Sequence, residues 1–236
     1  MTPSYDAAVR LWKAVPEATR ILVAANTIIS VTSNVCLDVR RPTFVAMTLS
    51  TFAHAGVVHF VFNMCALLTI GAELERRLGP KVFGAATGLL IAWCEGLLCL
   101  AAAAGLLHGC VLGYSGVLFG YFTVEADMRD EDSTVSICGV VIRARWAPWL
   151  LLLLTGLIAP QSSFAGHLIG ILGGYAFSRA QSYLRASRGE FSCDHRATPD
   201  PLLPSIAIGV EGTHPACDEF KPFLGTGRRL GGGDSA

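Results

Sequence analysis

Three short stretches of this chain carry side chains able to do acyl-transfer chemistry. "HAGVVHFVFN" supplies His54, His59 and Asn63, "VLGYSGVLFG" supplies Ser115, and "FAGHLIGILGG" supplies His167. A serine oxygen is a weak nucleophile and needs a base within hydrogen-bond reach, a part that an imidazole such as His167 fills. The tetrahedral intermediate then needs preorganised donors for its oxyanion, and His59, Asn63 and the backbone N–H at Ser115 are groups of the right type. No Asp or Glu is expected at the same depth to complete a triad, so the residues predict a Ser–His dyad. Glu95 counts as lying nearer mid-membrane or the far side and is left out of this set.

Each of these residues also has a plain structural reading. A serine in an apolar helix commonly bonds the carbonyl four residues back. A lone histidine is commonly a packed hydrogen-bonding group or a proton carrier, and glycines at intervals of four commonly serve helix contact. What favours chemistry is the chance for all of these groups to meet, and that depends on the elements that position them.

The chain has 236 residues, of which 52% are hydrophobic and 15% charged, with a mean hydropathy of +0.51. That composition is far from an ordinary soluble domain. The formal net charge is zero, so no global field points to nucleic acid or to an acidic substrate. Apolar runs near the roughly 20 residues that a bilayer-spanning helix needs fall at 20–37, 56–73, 82–105, 112–127, 146–160 and 163–181. The predicted fold is all-α, a polytopic membrane bundle of six helices. The fourth and fifth runs are short and must insert packed among the others. The first has no small-x-small cleavage site behind it and reads as an uncleaved anchor.

Lys and Arg give the orientation. With the N-terminus in the cytosol, all 18 except Arg40 and Arg41 fall on the cytosolic side, in the N-tail, the second and fourth loops and the C-terminal tail. The eight cysteines outline no disulfide framework. Cys65, Cys94 and Cys99 lie in spans, Cys138, Cys193 and Cys217 lie on the reducing side, and only Cys36 and Cys110 are in a position to meet in an oxidising lumen. Residues 20–181 form the membrane domain, preceded by a cytosolic N-tail over 1–19. From 182 to 236 the mixture of Pro, Gly, Ser and charges has no sustained periodicity and reads as largely disordered.

This topology brings the polar groups to one layer. Spans two, four and six all run from the lumen toward the cytosol, and each carries its polar residues near its start. His59 and Asn63, four residues apart, share one helix face. Gly113 and Gly116 bracket Ser115, leaving bare backbone around the hydroxyl. Gly166, Gly170 and Gly174 make a ladder beside His167 that lets spans four and six approach closely. Phe119, one turn after Ser115, is placed to stack on the imidazole of His167.

In combination these strings resemble the rhomboid intramembrane serine proteases. The resemblance rests on the H-x4-H-x3-N pattern at His54, His59 and Asn63, "GAELERRLG" after it, the G-x-S-G at 113–116 and the G-H-x-x-G-x-x-x-G at 166–174, and it covers roughly residues 20–181. It implies that Ser115 is the nucleophile and His167 its base, with His59, Asn63 and the Ser115 amide supporting the oxyanion. It gives Glu75 and Arg77 a structural, loop-anchoring role, and His54 a mainly structural or water-organising one. The substrates it implies are single-span membrane proteins cut near the lumenal end of their helix, with membrane lipid as solvent and no cofactor. The first lumenal loop is short and has no Trp-Arg pair, so the membrane insertion of that loop is not carried over.

Near the C-terminus, "FKPFLGTGRRLGGG" resembles the SHP box, a linear motif that docks on the N-terminal domain of a valosin-containing-type AAA ATPase. Phe223, Gly225, Gly227, Arg229 and Leu230 are the matching residues, with Phe223 and Leu230 as apolar anchors on a glycine-permitted extended peptide. Rhomboid-like proteins with this box implicate the Golgi or the endoplasmic reticulum. Cys193, His195, His214 and Cys217 have too loose a spacing to be assigned a metal. The rival to a protease is a derlin-like adaptor, which shares the fold and often the box but lacks the catalytic pair; Ser115 and His167 are both present. A proton relay or transporter is the third reading. It predicts polar groups in both halves of the membrane, whereas here they crowd into one.

Overall fold

Glycine, proline and small polar caps divide the apolar runs into helices, as seen in a computed structural model that describes residues 3–33, 35–137, 139–159 and 163–187. Helix α1 (Pro3–Ala14) precedes Pro16, after which α2 (Glu17–Thr32) begins. Helix α4 (Val57–Ala66) passes through a π-helical turn, Leu67–Gly71, into α5 (Ala72–Leu78). Gly79, at φ +76°, ends that rod, and Pro80 opens α6 (Pro80–Ala103) at the position where its missing N–H costs nothing. Helices α7 (Ser115–Asp127), α8 (Ala147–Ile158) and α9 (Phe164–Ser187) complete the bundle. Ser163 starts α9 by accepting the Gly166 N–H on its hydroxyl at 3.0 Å.

A helix thus stands at each of the six expected runs, with shifted ends. The first run ends as helix at Thr32, and the last continues to Ser187. Among the described residues, two helices, Val57–Leu78 and Pro80–Ala103, are long and apolar enough to cross a bilayer alone. Helix α7 is only 13 residues long but is buried on nearly every side, from Val117 to Ala126. Around it Leu67, Leu74, Phe83, Leu90, Val117, Tyr121 and Val124 make the main core. Large apolar side chains also point outward, among them Phe62, Leu89, Leu100, Leu153 and Leu157. Such a surface is a liability in water and matches hydrocarbon.

Two elements depart from an all-α fold. Strands β3 (Thr134–Ile137) and β4 (Val140–Arg143) form an antiparallel ribbon between α7 and α8, with Gly139 at φ +82° in its turn. Their β-branched residues and the two-residue Cys-Gly connection are a hairpin signal legible in the sequence. The loop between α2 and α4 is also structured. It holds β1 (Leu37–Asp38) and α3 (Phe44–Ser50), whose Phe44 and Val45 are exposed. Strand β1 pairs with β2 (Cys110–Val111), and a disulfide joins Cys36 to Cys110 across Cα atoms 5.6 Å apart. Cys36 and Cys110, the pair expected to share one side of the membrane, are thus bonded.

Helices α7 and α9 make the most extensive contact in the molecule, and glycine explains it. A Cβ at Gly170 would collide with the carbonyl oxygen of Gly116. One at Gly174 would lie 2.6 Å from the carbonyl oxygen of Gly120. The ladder predicted on α9 is thus matched by a second one on α7, Gly116 and Gly120. Glu75 anchors another joint. Buried on α5, its carboxylate accepts the Ala18 N–H (2.9 Å), the Thr19 N–H (2.7 Å) and the Thr19 hydroxyl (2.8 Å) at the start of α2. It caps a helix N-terminus from a distance, where negative charge is favoured. Arg77, the other half of the charged pair, bonds Glu73 at 2.7 Å instead. The anchoring expected of the two falls to Glu75.

Candidate active site

Ser115 is the first residue of α7, and the sequence before it makes an abrupt entry. Gly113 has φ +118°, a backbone region open to glycine, and its N–H is held by the Ser50 carbonyl at 2.9 Å. Tyr114 is fully buried, and its hydroxyl meets that of Tyr121 at 2.9 Å, which in turn meets Thr87 at 2.5 Å. The neighbour of the serine is therefore pinned through three hydroxyls to α6. Tyr114 caps α7, giving its carbonyl to the Leu118 N–H at 3.1 Å. The N–H groups of Ser115, Gly116 and Val117 precede that first helical bond and form the positive end of α7.

His167 arrives from the first turn of α9. Its Nε2 stands 2.9 Å from Ser115 Oγ, across 52 residues of sequence. The ring is almost wholly buried and stacks on Phe119, with centroids 4.3 Å apart and planes 23° from parallel. Nδ1 is buried with no hydrogen-bond partner among the described residues. Among the described residues no third group bonds this imidazole, which is held by the stack with Phe119 and the packing of α9. Ser115 and His167 thus stand as a pair.

The α4 residues flank it. The His59 ring lies against the loop before Ser115, where a Cβ on Gly113 would come within 2.7 Å of His59 Cε1. The clash makes a second reason for glycine at 113. Asn63 is buried one turn along and gives its Nδ2 to the His59 carbonyl at 2.7 Å. One of its two amide N–H donors is thus engaged by its own helix and the second remains. His54 sits just before α4, its Nδ1 2.9 Å from the Ser30 hydroxyl and 3.1 Å from the Phe52 carbonyl. Burial, aided by the adjacent His59 and opposed by the Phe52 carbonyl, lowers its pKa to about 4. It links α2 to the segment just before α4 through the Ser30 hydroxyl.

One residue set aside on sequence grounds belongs to this site. A cavity of about 30 Å³ opens beside Ser115 and His167, and Glu95 and Thr51 line it with Gly113 and Gly116. Helix α6 runs opposite to α4, α7 and α9, so its later turns reach the layer where those three begin. The residue count that put Glu95 nearer mid-membrane or the far side did not place it beside Ser115, where it lines this cavity. Tyr114, Thr51 and Gly120 had no motif to mark them. The tail residues Phe223, Gly225, Gly227, Arg229 and Leu230, and the cysteines and histidines from 193 to 217, lie outside the described residues.

Residues 41–183 match the family described as "Rhomboid domain". The chain is 30% identical over 190 residues to "Rhomboid-like protein 14, mitochondrial" of Arabidopsis thaliana, covering 70% of this chain and 56% of that protein. It is 35% identical over 161 residues to "Rhomboid-related protein 4" of Homo sapiens, covering 62% and 49%. To "Rhomboid-type serine protease 2" of Kluyveromyces lactis it is 27% identical over 170 residues, covering 70% and 62%. The chain spans about half the length of the curated relatives it matches.

Proposed function

The chain belongs to the rhomboid family, and on that footing we propose that it is an intramembrane serine endopeptidase, with six spans and both termini in the cytosol. The observation that carries this reading is the 2.9 Å approach of Ser115 Oγ to His167 Nε2 at the start of two glycine-apposed helices. Ser115 Oγ attacks the scissile carbonyl carbon while His167 Nε2 takes the hydroxyl proton. The oxyanion forms against the N–H groups at the start of α7, with the His59 ring alongside. His167 then returns the proton to the departing amine, and water hydrolyses the acyl ester with His167 again as base.

The polar layer sits near the lumenal ends of α4, α7 and α9, so the substrates are single-span proteins cut where their helix leaves the bilayer. The tail motif at 223–231 recruits a valosin-containing-type AAA ATPase that extracts substrates or products, and the chain resides in the Golgi or endoplasmic reticulum. Deleting 223–231 leaves cleavage in vitro intact and abolishes co-purification of the ATPase; retained binding counts against the tail role. Ser115→Ala, reconstituted in lipid with a single-span reporter, loses cleavage while the wild type cuts. Equal cleavage by both, or none by the wild type on any reporter with an unstable helix, removes the protease reading and leaves a non-proteolytic adaptor.

A further inference from the structure

The end of the bundle away from Ser115 carries side chains that the catalytic mechanism does not use. Glu75, at the end of the α4–α5 rod, meets the start of α2 there. Helices α7 and α9 run side by side from the Ser115 layer, so both end at this level, and α8 begins from it. Trp146, just before α8, is 58% exposed, and Tyr183, near the end of α9, is 74% exposed. Arg145 lies exposed next to the first, and Arg179 lies exposed one turn before the second. Aromatic side chains interleaved with cations mark the boundary between hydrocarbon and headgroups.

Helix α1 joins the molecule at this boundary. Val15 behind it is buried, and Pro16 is extended at φ −58° and ψ 153°, so α1 does not continue the line of α2. At the helical period Val9, Leu11 and Trp12 share one side of α1, while Asp6, Arg10 and Lys13 share the other. Leu11 and Trp12 are each 43% exposed. Arg10 and Lys13 are exposed too, and neither makes an ion pair among the described residues.

We propose that α1 is a lipid-binding arm that lies in the plane of the bilayer boundary. Leu11 and Trp12 enter the upper acyl chains, and Arg10 and Lys13 rest on the phosphates of anionic phospholipids. Two observations favour a lipid surface over a protein partner. The exposed Trp146 and Tyr183 set the headgroup level where α1 joins the bundle, and the outward apolar side of α2 continues from there at Ile21, 61% exposed. The second is charge. A helix that seats in a membrane surface carries an apolar face bordered by Lys and Arg, and both cations of α1 stand without an acidic partner. Zwitterionic headgroups have no net charge to offer them, so the seat depends on anionic lipid. The arm binds lipid whether or not the Ser115–His167 pair cleaves a substrate.

The test places the full chain in nanodiscs and follows the fluorescence of Trp12, taken as the signal of wild type minus that of Trp12→Phe. In discs of phosphatidylcholine with phosphatidylserine, lipids brominated high on the acyl chain quench Trp12, and lipids brominated near the chain end quench it less. Discs of phosphatidylcholine alone give about half that quenching or less, and so does salt of about 1 M, which screens the charges. Arg10→Gln combined with Lys13→Gln makes the two lipid compositions equal. Leu11→Asp lowers quenching in both while the helical circular dichroism persists. Equal quenching of the wild type in the two compositions, or a neutralised pair that keeps the difference, overturns the binding of anionic lipid. A Trp12 signal that no brominated lipid quenches overturns the membrane seat altogether; a signal that changes instead with the number of chains per disc assigns the apolar face to a second copy.

Discussion

Ser115 and His167 were legible as a pair because each is a costly polar group in an apolar helix, and their types complement each other. Phe119 was legible by spacing alone, one turn from the serine, and it does stack on the imidazole at 4.3 Å. With no partner for Nδ1 of His167 among the described residues, that stack takes the place of the hydrogen bond by which a third triad member would orient the ring. Phe119→Leu therefore lowers kcat by roughly ten- to a hundredfold with little change in KM, since a small misplacement of a catalytic group is expensive in rate. Steady-state kinetics on a single-span reporter check it, and an unchanged kcat means that the stack does not hold the base. Glu95 was missed for a different reason. A residue count put it nearer mid-membrane or the far side, and depth along one helix does not say which side chains of other helices meet it in a cavity. Asn63 is buried on α4 with one amide N–H on the His59 carbonyl, which leaves its second donor for an oxyanion.

Helix existence followed from apolar runs, yet the joints between helices depended on residues whose partners lie far away in sequence. Half of the α7–α9 seam was readable as the Gly166, Gly170 and Gly174 ladder. Of its counterpart, Gly116 was marked by its place beside Ser115, whereas Gly120 carried no signal. Gly170→Ala places a methyl group against the Gly116 carbonyl and forces the helices apart. Overpacking of this kind costs about 1–3 kcal/mol, and the separation also breaks the Ser115–His167 bond. Cleavage falls below detection while the helical circular dichroism persists; wild-type cleavage in this variant would mean that the seam can open without disturbing the dyad. Glu75 was read as an anchor from a resemblance, but its target, the start of α2, lies 56 residues away from it in sequence at Thr19 and no local pattern points there. The β3–β4 ribbon had the opposite status, since its β-branched run and Cys-Gly turn were visible in a stretch read only as a connecting loop.

At the scale of the whole molecule, the asymmetric placement of Lys and Arg and the apolar runs are what an expected orientation rests on. Cys36 and Cys110, expected on the same side, bridge the loop after α2 to the loop after α6 next to the β1–β2 pairing. The bridge ties the strand five residues before Ser115 to the end of α2. Replacing both cysteines with serine lowers the stability of the folded domain by about 2–4 kcal/mol, read as a lower midpoint in detergent-solubilised thermal unfolding. An unchanged midpoint means that the loops are held by other contacts. The central claim is that α7 and α9 bring two residues separated by 52 positions into one working unit. A double-mutant cycle on Ser115→Ala and His167→Ala, measured as kcat/KM in proteoliposomes, tests it directly. Groups that act together lose their function together, so each single variant and the double variant fall to the same residual rate, roughly 10⁴-fold or more below wild type. Losses that simply add, or a single variant that retains wild-type cleavage, would contradict the account.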